Sequence, residues 1–425
     1  MRGKLTRRQI DRIENILMAV LACTAIFLVS QTNLFQAFTG QGGGQNTAAY
    51  TAVQTTQLPQ GSPVALMVRN DQGRCGLRYD QAQVDRVYDQ GLYDVLFHCL
   101  DRMEKPKKSS REDWQQVVTQ SDAWVCYDYL YNVPFSSASG QEGTARLFLV
   151  SFRNGQADVL YGYDQETGAY WSSQVGTSGL TMPVQAQGLD PNGVRFAFED
   201  PALADLLPGY MMVDDKAPAS LVYASANPLA GLDESGLRAM LETAGFNLQA
   251  VSIYESADGT VVREGSDTIR IQQDGSIIYH GTESGEARYE AASRKESDLR
   301  KGAEEVLSLL TADQTGAARF LCQGVREESD GSVVLTYSYL LDGGRVSLGE
   351  NGWAARFRFR GEALTSFEIT FRQYTATETH SAVPPERQAA AAAEVQGQTG
   401  KELQLCHRDD GSGLTQALWT VREAG

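Results

Sequence analysis

Basic charge is scarce in this sequence. Its 425 residues hold 37 Lys and Arg against 53 Asp and Glu, a formal net charge of −16. A nucleic-acid binder needs a basic surface to displace phosphate counterions, so that class of partner is excluded. Proline is sparse, at 12, while 42% of residues are hydrophobic and 9% aromatic, which excludes a wholly disordered chain. Only four histidines are present (His98, His280, His380 and His407), and no two sit at ligand spacing. His98-Cys99 and Cys406-His407 are adjacent pairs whose side chains diverge in a helix or strand, so no zinc site and no metal cofactor is expected. Of six cysteines, the five beyond Cys23 (Cys75, Cys99, Cys126, Cys322 and Cys406) are an odd set without repeated spacing. Such a set is no disulfide framework, and at most one incidental pair is left to form.

Catalytic signatures are missing as well. There is no Gly-x-Ser-x-Gly elbow, Walker loop, dinucleotide fingerprint or His-Glu-x-x-His. Ser136-Ser137 and Ser139-Gly140 lie in a small-residue loop without a nearby basic partner. A fold can always bring two carboxylates together as in a glycosidase, but 53 acidic residues make any choice among them arbitrary. The reading is therefore non-enzymatic and without a cofactor.

What is present starts at the N-terminus. Residues 1–14 hold Arg2, Lys4, Arg7, Arg8 and Arg12 against Asp11 and Glu14, a net +3 that leaves −19 for the remainder. Ile16 to Val29 then runs without a charge. That run alone is about 21 Å of helix, short of the roughly 30 Å hydrocarbon core, and extension through Leu34, Phe35 and Phe38 supplies the rest. The basic flank places the N-terminus in the cytoplasm and the acidic bulk outside. A cleaved signal peptide lacks a clean small-x-small site here, and a lipoprotein box ending at Cys23 is poor. The expected order is a cytoplasmic tip (1–12), a transmembrane signal anchor (13–38) and a Gly/Gln/Thr-rich flexible linker (39–60). Within the span Ala19, Ala22, Cys23 and Ile26 fall on one face, where small residues would let a partner helix approach. Any apolar helix with a few alanines carries such a stripe.

The exported remainder reads as α+β, in three helix-plus-antiparallel-sheet units. The first, 61–208, has a strand near Pro63–Val68 and one helix from about Gln81 to Met103, capped by Asp80. Strands Trp124–Tyr131, Ala145–Phe152, Ala157–Tyr163 and Ala169–Ser173 follow, with Asn154-Gly155 and Thr167-Gly168 as turns. The second, 209–290, has a short helix with Leu237, Met240, Leu241 and Ala244, closed by Gly245, then strands Ala250–Tyr254, Thr268–Ile271 and Ile277–His280. The third, 291–425, repeats the order, with a helix from about Glu296 to Leu310 and strands Phe320–Arg326, Val333–Leu341, Trp353–Arg360 and Leu364–Tyr374. A helix in ERQAAAAAEV and strands near Leu403–Cys406 and Ala417–Val421 complete it. Five Asp-Gly pairs, at 258, 274, 330, 342 and 410, lie between alternating runs. They fit type I′ hairpins, which need positive φ at both central residues, and lack the alternate carboxylates of a calcium loop.

The hairpin at 353–374 alternates most cleanly. Trp353, Ala355, Phe357 and Phe359 point one way, with Phe367, Ile369 and Phe371 from the return strand; Arg356, Arg358 and Arg360 point the other, with Glu368 and Arg372. This arginine face is the candidate surface for an anionic partner. A solvated sheet face neutralised by Glu362 and Glu368 is the plainer account.

The stretches GFNLQAVSIYESADGTVVREGSDTIRIQQDGSIIYHG (245–281), VVLTYSYLLDGGRVSL (333–348) and the terminal ALWTV (417–421) add a resemblance. With the tip, span, linker and helix–sheet units, the chain resembles the YycH/YycI group, extracytoplasmic regulators of the WalR/WalK (YycF/YycG) two-component system of Gram-positive bacteria. The resemblance implies a non-enzymatic regulator that contacts a membrane sensor histidine kinase through its span and exported domains and adjusts cell-wall metabolism. It also implies a YycI-like paralogue as a further partner. An exported binding module for a wall polymer or peptide, with the anchor as tether, is the alternative.

Overall fold

The structure, a computed structural model, describes residues 61–176, 179–282, 287–311, 314–349 and 352–422. The expected tip, span and linker (1–60) lie outside the described residues. Among the described residues no helix is long and apolar enough to cross a membrane. The architecture is α+β and dominated by strands.

Seven strands build the first sheet, in the order Gly73–Leu77, Ala65–Asn70, Ala123–Ser136, Glu142–Arg153, Gln156–Asp164, Ala169–Gln174 and Lys107–Ser109, all antiparallel. Asn154 and Gly155 both take positive φ, 52° and 76°, so this pair is the tight turn that the sequence predicts. Both faces of the sheet are covered. Leu66, Val68, Val125, Tyr127, Phe148 and Val150 meet Val84, Leu92 and Leu96 of the helical segment. Ala65, Met67, Trp124, Cys126 and Leu149 face the other way, onto Trp114, Phe196, Leu203 and Met212. Burial on both sides explains the near-continuous apolar run from Ala123 to Phe135. The second layer is absent from the sequence reading. It includes the helix Arg111–Gln120, held by a capping box in which the Asp113 N–H donates to Ser110 Oγ at 3.0 Å and the Ser110 N–H to Asp113 Oδ2 at 3.0 Å.

The single helix expected over 81–103 is also broken. It runs Gln81–Val87, a π turn Tyr88–Leu92, then Tyr93–Asp101. Gly91 sits at φ +125°, which L side chains rarely adopt, and a Cβ there would lie 3.1 Å from Pro183. Glycine at that point is what admits the kink. The Asp80 cap holds as expected, accepting from the Gln83 N–H at 3.0 Å.

The remaining strands, apart from the short pair Arg195–Phe196 and Met212–Val213, join into one 13-stranded sheet. Four consecutive strands (Ser252–Ser256, Gly259–Glu264, Asp267–Gln272, Ser276–His280) lead into Ala363–Thr370, Ala355–Arg360 and Val333–Leu341, so strands on either side of position 290 share this sheet. Leu221–Ala226 crosses to pair with Gln373–His380 and Leu414–Arg422. One face packs beneath two helices, Glu234–Thr243 and Glu296–Thr311. Leu299, Ala303, Val306, Leu307 and Leu310 are buried, as the helical spacing predicts, and Gly245 closes the shorter helix at φ +77°. Of the Asp-Gly pairs, Asp342-Gly343 has positive φ at both residues (45° and 69°), while at the other four only the glycine does. At three of those a following serine explains the turn instead. Asp274, Asp330 and Asp410 each accept the N–H of the serine two residues on, at 2.8, 3.0 and 3.0 Å.

Candidate functional site: a cationic cleft

The register of the larger sheet arranges a row of outward-facing residues. Gly324 lies opposite Thr336 and Thr336 opposite Arg356; one row along, Arg326 lies opposite Val334 and Val334 opposite Arg358. Their neighbours along the strands (Cys322, Leu335, Phe357) point into the helix-covered core. This outer face is the floor of an open cleft of about 610 Å³. Tyr131 from the long strand of the first sheet, Arg345, Trp353 and Arg422 from the last strand complete its lining.

Four arginines (326, 345, 356 and 422) line the cleft and no carboxylate does. The contrast with a second cleft of about 560 Å³ is informative. There Lys107, Lys108 and Arg153 stand among Asp113, Asp122 and Asp158, so its charge is balanced. In the first cleft the positive groups are only partly offset, from outside. Arg326 reaches Glu328 at 2.5 Å and Arg356 reaches the same carboxylate at 3.8 Å. Arg422 stacks over the Tyr131 ring, 4.6 Å from its centre, and its Nη1 has no hydrogen-bond partner. Arg345 Nε and Gln323 Nε2 are likewise without one. These three donors are themselves buried, but guanidinium groups as a class suit carboxylate or phosphate oxygens. The arrangement suits anions; within the cleft lining it offers no nucleophile–base pair. Among the described residues no group of three or more His, Cys, Asp or Glu is placed to hold a metal.

The sequence-predicted arginines divide. Arg356 lines the cleft. Arg358 and Arg360 point to the same outer side but are paired, with Asp330 at 3.5 and 3.4 Å, and Arg358 donates to Ser332 Oγ at 2.6 Å. Asp330 is held down to about 2, chiefly by the hydrogen bonds from Ser332 and then by these arginines. Arg372 is not on this face. The return strand ends at Thr370, the chain turns, and Arg372 Nη1 donates to the Asp274 carbonyl at 2.8 Å while its Nε lies 3.8 Å from Asp409. Trp353, expected among the core aromatics, precedes its strand and stands half-buried in the cleft. Arg326, Arg345, Arg422 and Tyr131 escape sequence reasoning because their strands meet only in the fold. Ala19, Ala22, Cys23 and Ile26 lie outside the described residues. Cys75, Cys99, Cys126, Cys322 and Cys406 are free and buried.

Behind the cleft a charged seam fixes one sheet to the other. Arg146, 2% exposed, donates from Nε to Asp128 Oδ1 at 2.9 Å and from Nη2 to Glu402 Oε1 at 2.7 Å. Gln165 donates to the other Glu402 oxygen at 3.2 Å. A second set joins Arg78 to Glu386 at 2.6 Å, and Tyr79 donates to the same oxygen at 2.8 Å. The Arg146 contacts hold the strand that carries Tyr131 against the strand pair that ends in Arg422.

No family model and no curated relative matches the chain. Among solved structures, an uncharacterized protein from Eubacterium rectale ATCC 33656 is similar over 48% of this chain and 76% of its own, at 9% identity and a TM-score of 0.33. So distant a likeness carries no functional argument, and the resemblance to the YycH/YycI group rests on the stretches quoted above.

Proposed function

We propose that the chain is a non-enzymatic, membrane-anchored extracytoplasmic regulator of a sensor histidine kinase in a WalK/YycG-like two-component system, acting on cell-wall metabolism by protein–protein contact. The observation that carries this reading is the cleft, with four arginines and no carboxylate in its lining on a chain of net charge −16. A cationic hollow on an acidic body is a recognition surface that selects its partner by charge. The basic tip, apolar run and linker fit a tether with the bulk outside the membrane. The three-unit organisation, 61–208, 209–290 and 291–425, belongs to the same proposal. Its support is the recurrence of helix then hairpins, at Glu234–Thr243 and again at Glu296–Thr311. A YycI-like paralogue would complete the assembly.

The test is co-purification from membranes. Residues 1–60 fused to an inert exported domain should retain part of the kinase binding, and the full chain with a foreign span should retain the other part. If neither retains a kinase component, the reading fails. The second reading, a tethered module for a wall polymer, draws on the same arginines, because guanidinium groups donate to phosphate as readily as to carboxylate oxygens. It predicts retention on purified wall that is indifferent to the identity of the span.

A further inference from the structure

The geometry points to an extended acidic peptide as the occupant of the cationic cleft, added as a strand to the free edge of Arg319–Glu327. The inference rests on the reading that the exported region works by protein contact, and supplies the chemistry of that contact.

Two independent features of one strand carry it. Arg319–Glu327 pairs with Val333–Leu341 on one side, and its other edge hydrogen-bonds to no described strand, although Arg319 at its start is held to the Ser62 and Pro63 carbonyls and the strand Ala123–Ser136 passes close by. A free edge presents a row of backbone donors and acceptors, which an extended chain can satisfy over several residues. The same strand supplies Gln323, Gly324, Val325 and Arg326 to the cleft. An added strand would run along the rim, and its alternate side chains would project on the cleft side of the sheet, nearest Arg326, the side on which Arg345, Arg356 and Arg422 also line the cleft. Charge complementarity then selects acidic side chains at alternate positions. Gly324 leaves the space. A Cβ built there meets no atom within 4 Å, and its φ is not among the positive ones, so glycine is not required by the backbone. A bulge between Cys322 and Gly324 bends the edge at this point, as bulges do where a strand re-aims its side chains. A phosphodiester polymer would use the arginines and leave the free edge unused, which is why the peptide is favoured.

The test uses the full chain in detergent micelles and a fluorescein-labelled synthetic peptide that alternates Glu and Val, read by fluorescence anisotropy. The expected result is saturable binding that weakens as salt rises, and that falls by about tenfold or more when Lys replaces Glu in the peptide. The double variant R326Q/R356Q should lose binding to a similar degree. Both side chains are exposed enough (71% and 41%) for the fold to survive their exchange. Gly324→Phe should block the peptide by filling the cleft, while Arg153→Gln, in the charge-balanced cleft, should bind as the parent does. N-methylation of alternate peptide nitrogens, which removes strand-forming donors, should abolish binding. Equal binding of the Lys peptide, or an unaffected R326Q/R356Q, overturns the inference. So does undiminished binding of the N-methylated peptide, or tighter binding of inorganic polyphosphate at the same arginines. Peptide binding without any kinase in the membrane co-purification would sink the regulator reading and leave this inference standing. Kinase co-purification without peptide binding would do the reverse.

Discussion

Replacing Arg146 with methionine is expected to destabilise the exported region by about 3–5 kcal/mol, the usual cost of removing one member of a buried ion-pair cluster. The effect comes less from the attraction lost than from what is left behind. Asp128 is 8% exposed and Glu402 1%, and without the guanidinium two carboxylates would face each other in a dry seam. Asp128 retains one donor, the Leu130 N–H at 2.8 Å, and Glu402 retains Gln165. Neither replaces a bidentate arginine. Burial opposes the charge on Arg146, and Asp128 and Glu402 more than offset that opposition. The site thus depends on the full set. Urea titration of the full chain in detergent checks the loss. Adding Glu402→Gln to the methionine variant should restore part of it, since it removes one stranded charge. A methionine variant as stable as the parent would show that the seam is not what joins the sheets.

The second large effect is pH dependence centred on His407. The imidazole is fully buried at the parallel pairing of Gly344–Leu348 with Glu402–Asp409. Its Nε2 is 3.4 Å from Ser220 Oγ, and Tyr223 meets it edge-on. Burial lowers its pKa to about 4, against smaller opposing influences of Asp342 and of a hydrogen bond to the Leu341 backbone. A base with a depressed folded pKa binds fewer protons folded than unfolded. Its contribution is therefore fully present above the unfolded value of about 6.5 and is lost as pH falls from there toward 4. The loss amounts to about 2–3 kcal/mol. His407→Leu keeps the size, removes the titration and should outlast the parent in urea at pH 4.5 while being similar at pH 7. The comparison between the two chains isolates His407 from the carboxylates that also protonate in acid. Parallel loss of stability in both would remove His407 from the account.

Local chemistry was legible in the sequence where a few adjacent residues decide the outcome. Asn154-Gly155 and Asp342-Gly343 form the turns their types demand, Asp80 caps its helix, and Phe357, Phe359, Phe367 and Ile369 face the core as their alternation requires. The Asp-Gly-Ser triplets at 274, 330 and 410 were readable too, because Asp hydrogen-bonds its backbone two residues on. That signal would have named Asp330 as a fixed carboxylate beside the arginines. What was not legible depends on long-range pairing. Gly91 at the kink lies close against the distant Pro183, and Leu221–Ala226 belongs to the larger sheet through partners at 373–380 and 414–415. The cleft is the extreme case. Arg356 stands out in an alternating hairpin, but Arg345 and Arg422 are lone arginines in their strands. Only the joining of the strand Ala123–Ser136 to the C-terminal strands brings Tyr131 and Arg422 together.

The most direct test of the central claim, that this cleft receives a polypeptide of the membrane kinase, is photo-crosslinking from position 353 in intact cells. Trp353 replaced by benzoylphenylalanine places the reactive ketone in the cleft lining, where a half-buried aromatic ring already stands and the floor at Gly324 is left open. The account predicts an adduct that contains a sensor histidine kinase and that disappears in the R326Q/R356Q background. Adducts formed with wall material alone, or a kinase adduct that persists without the two arginines, would contradict it.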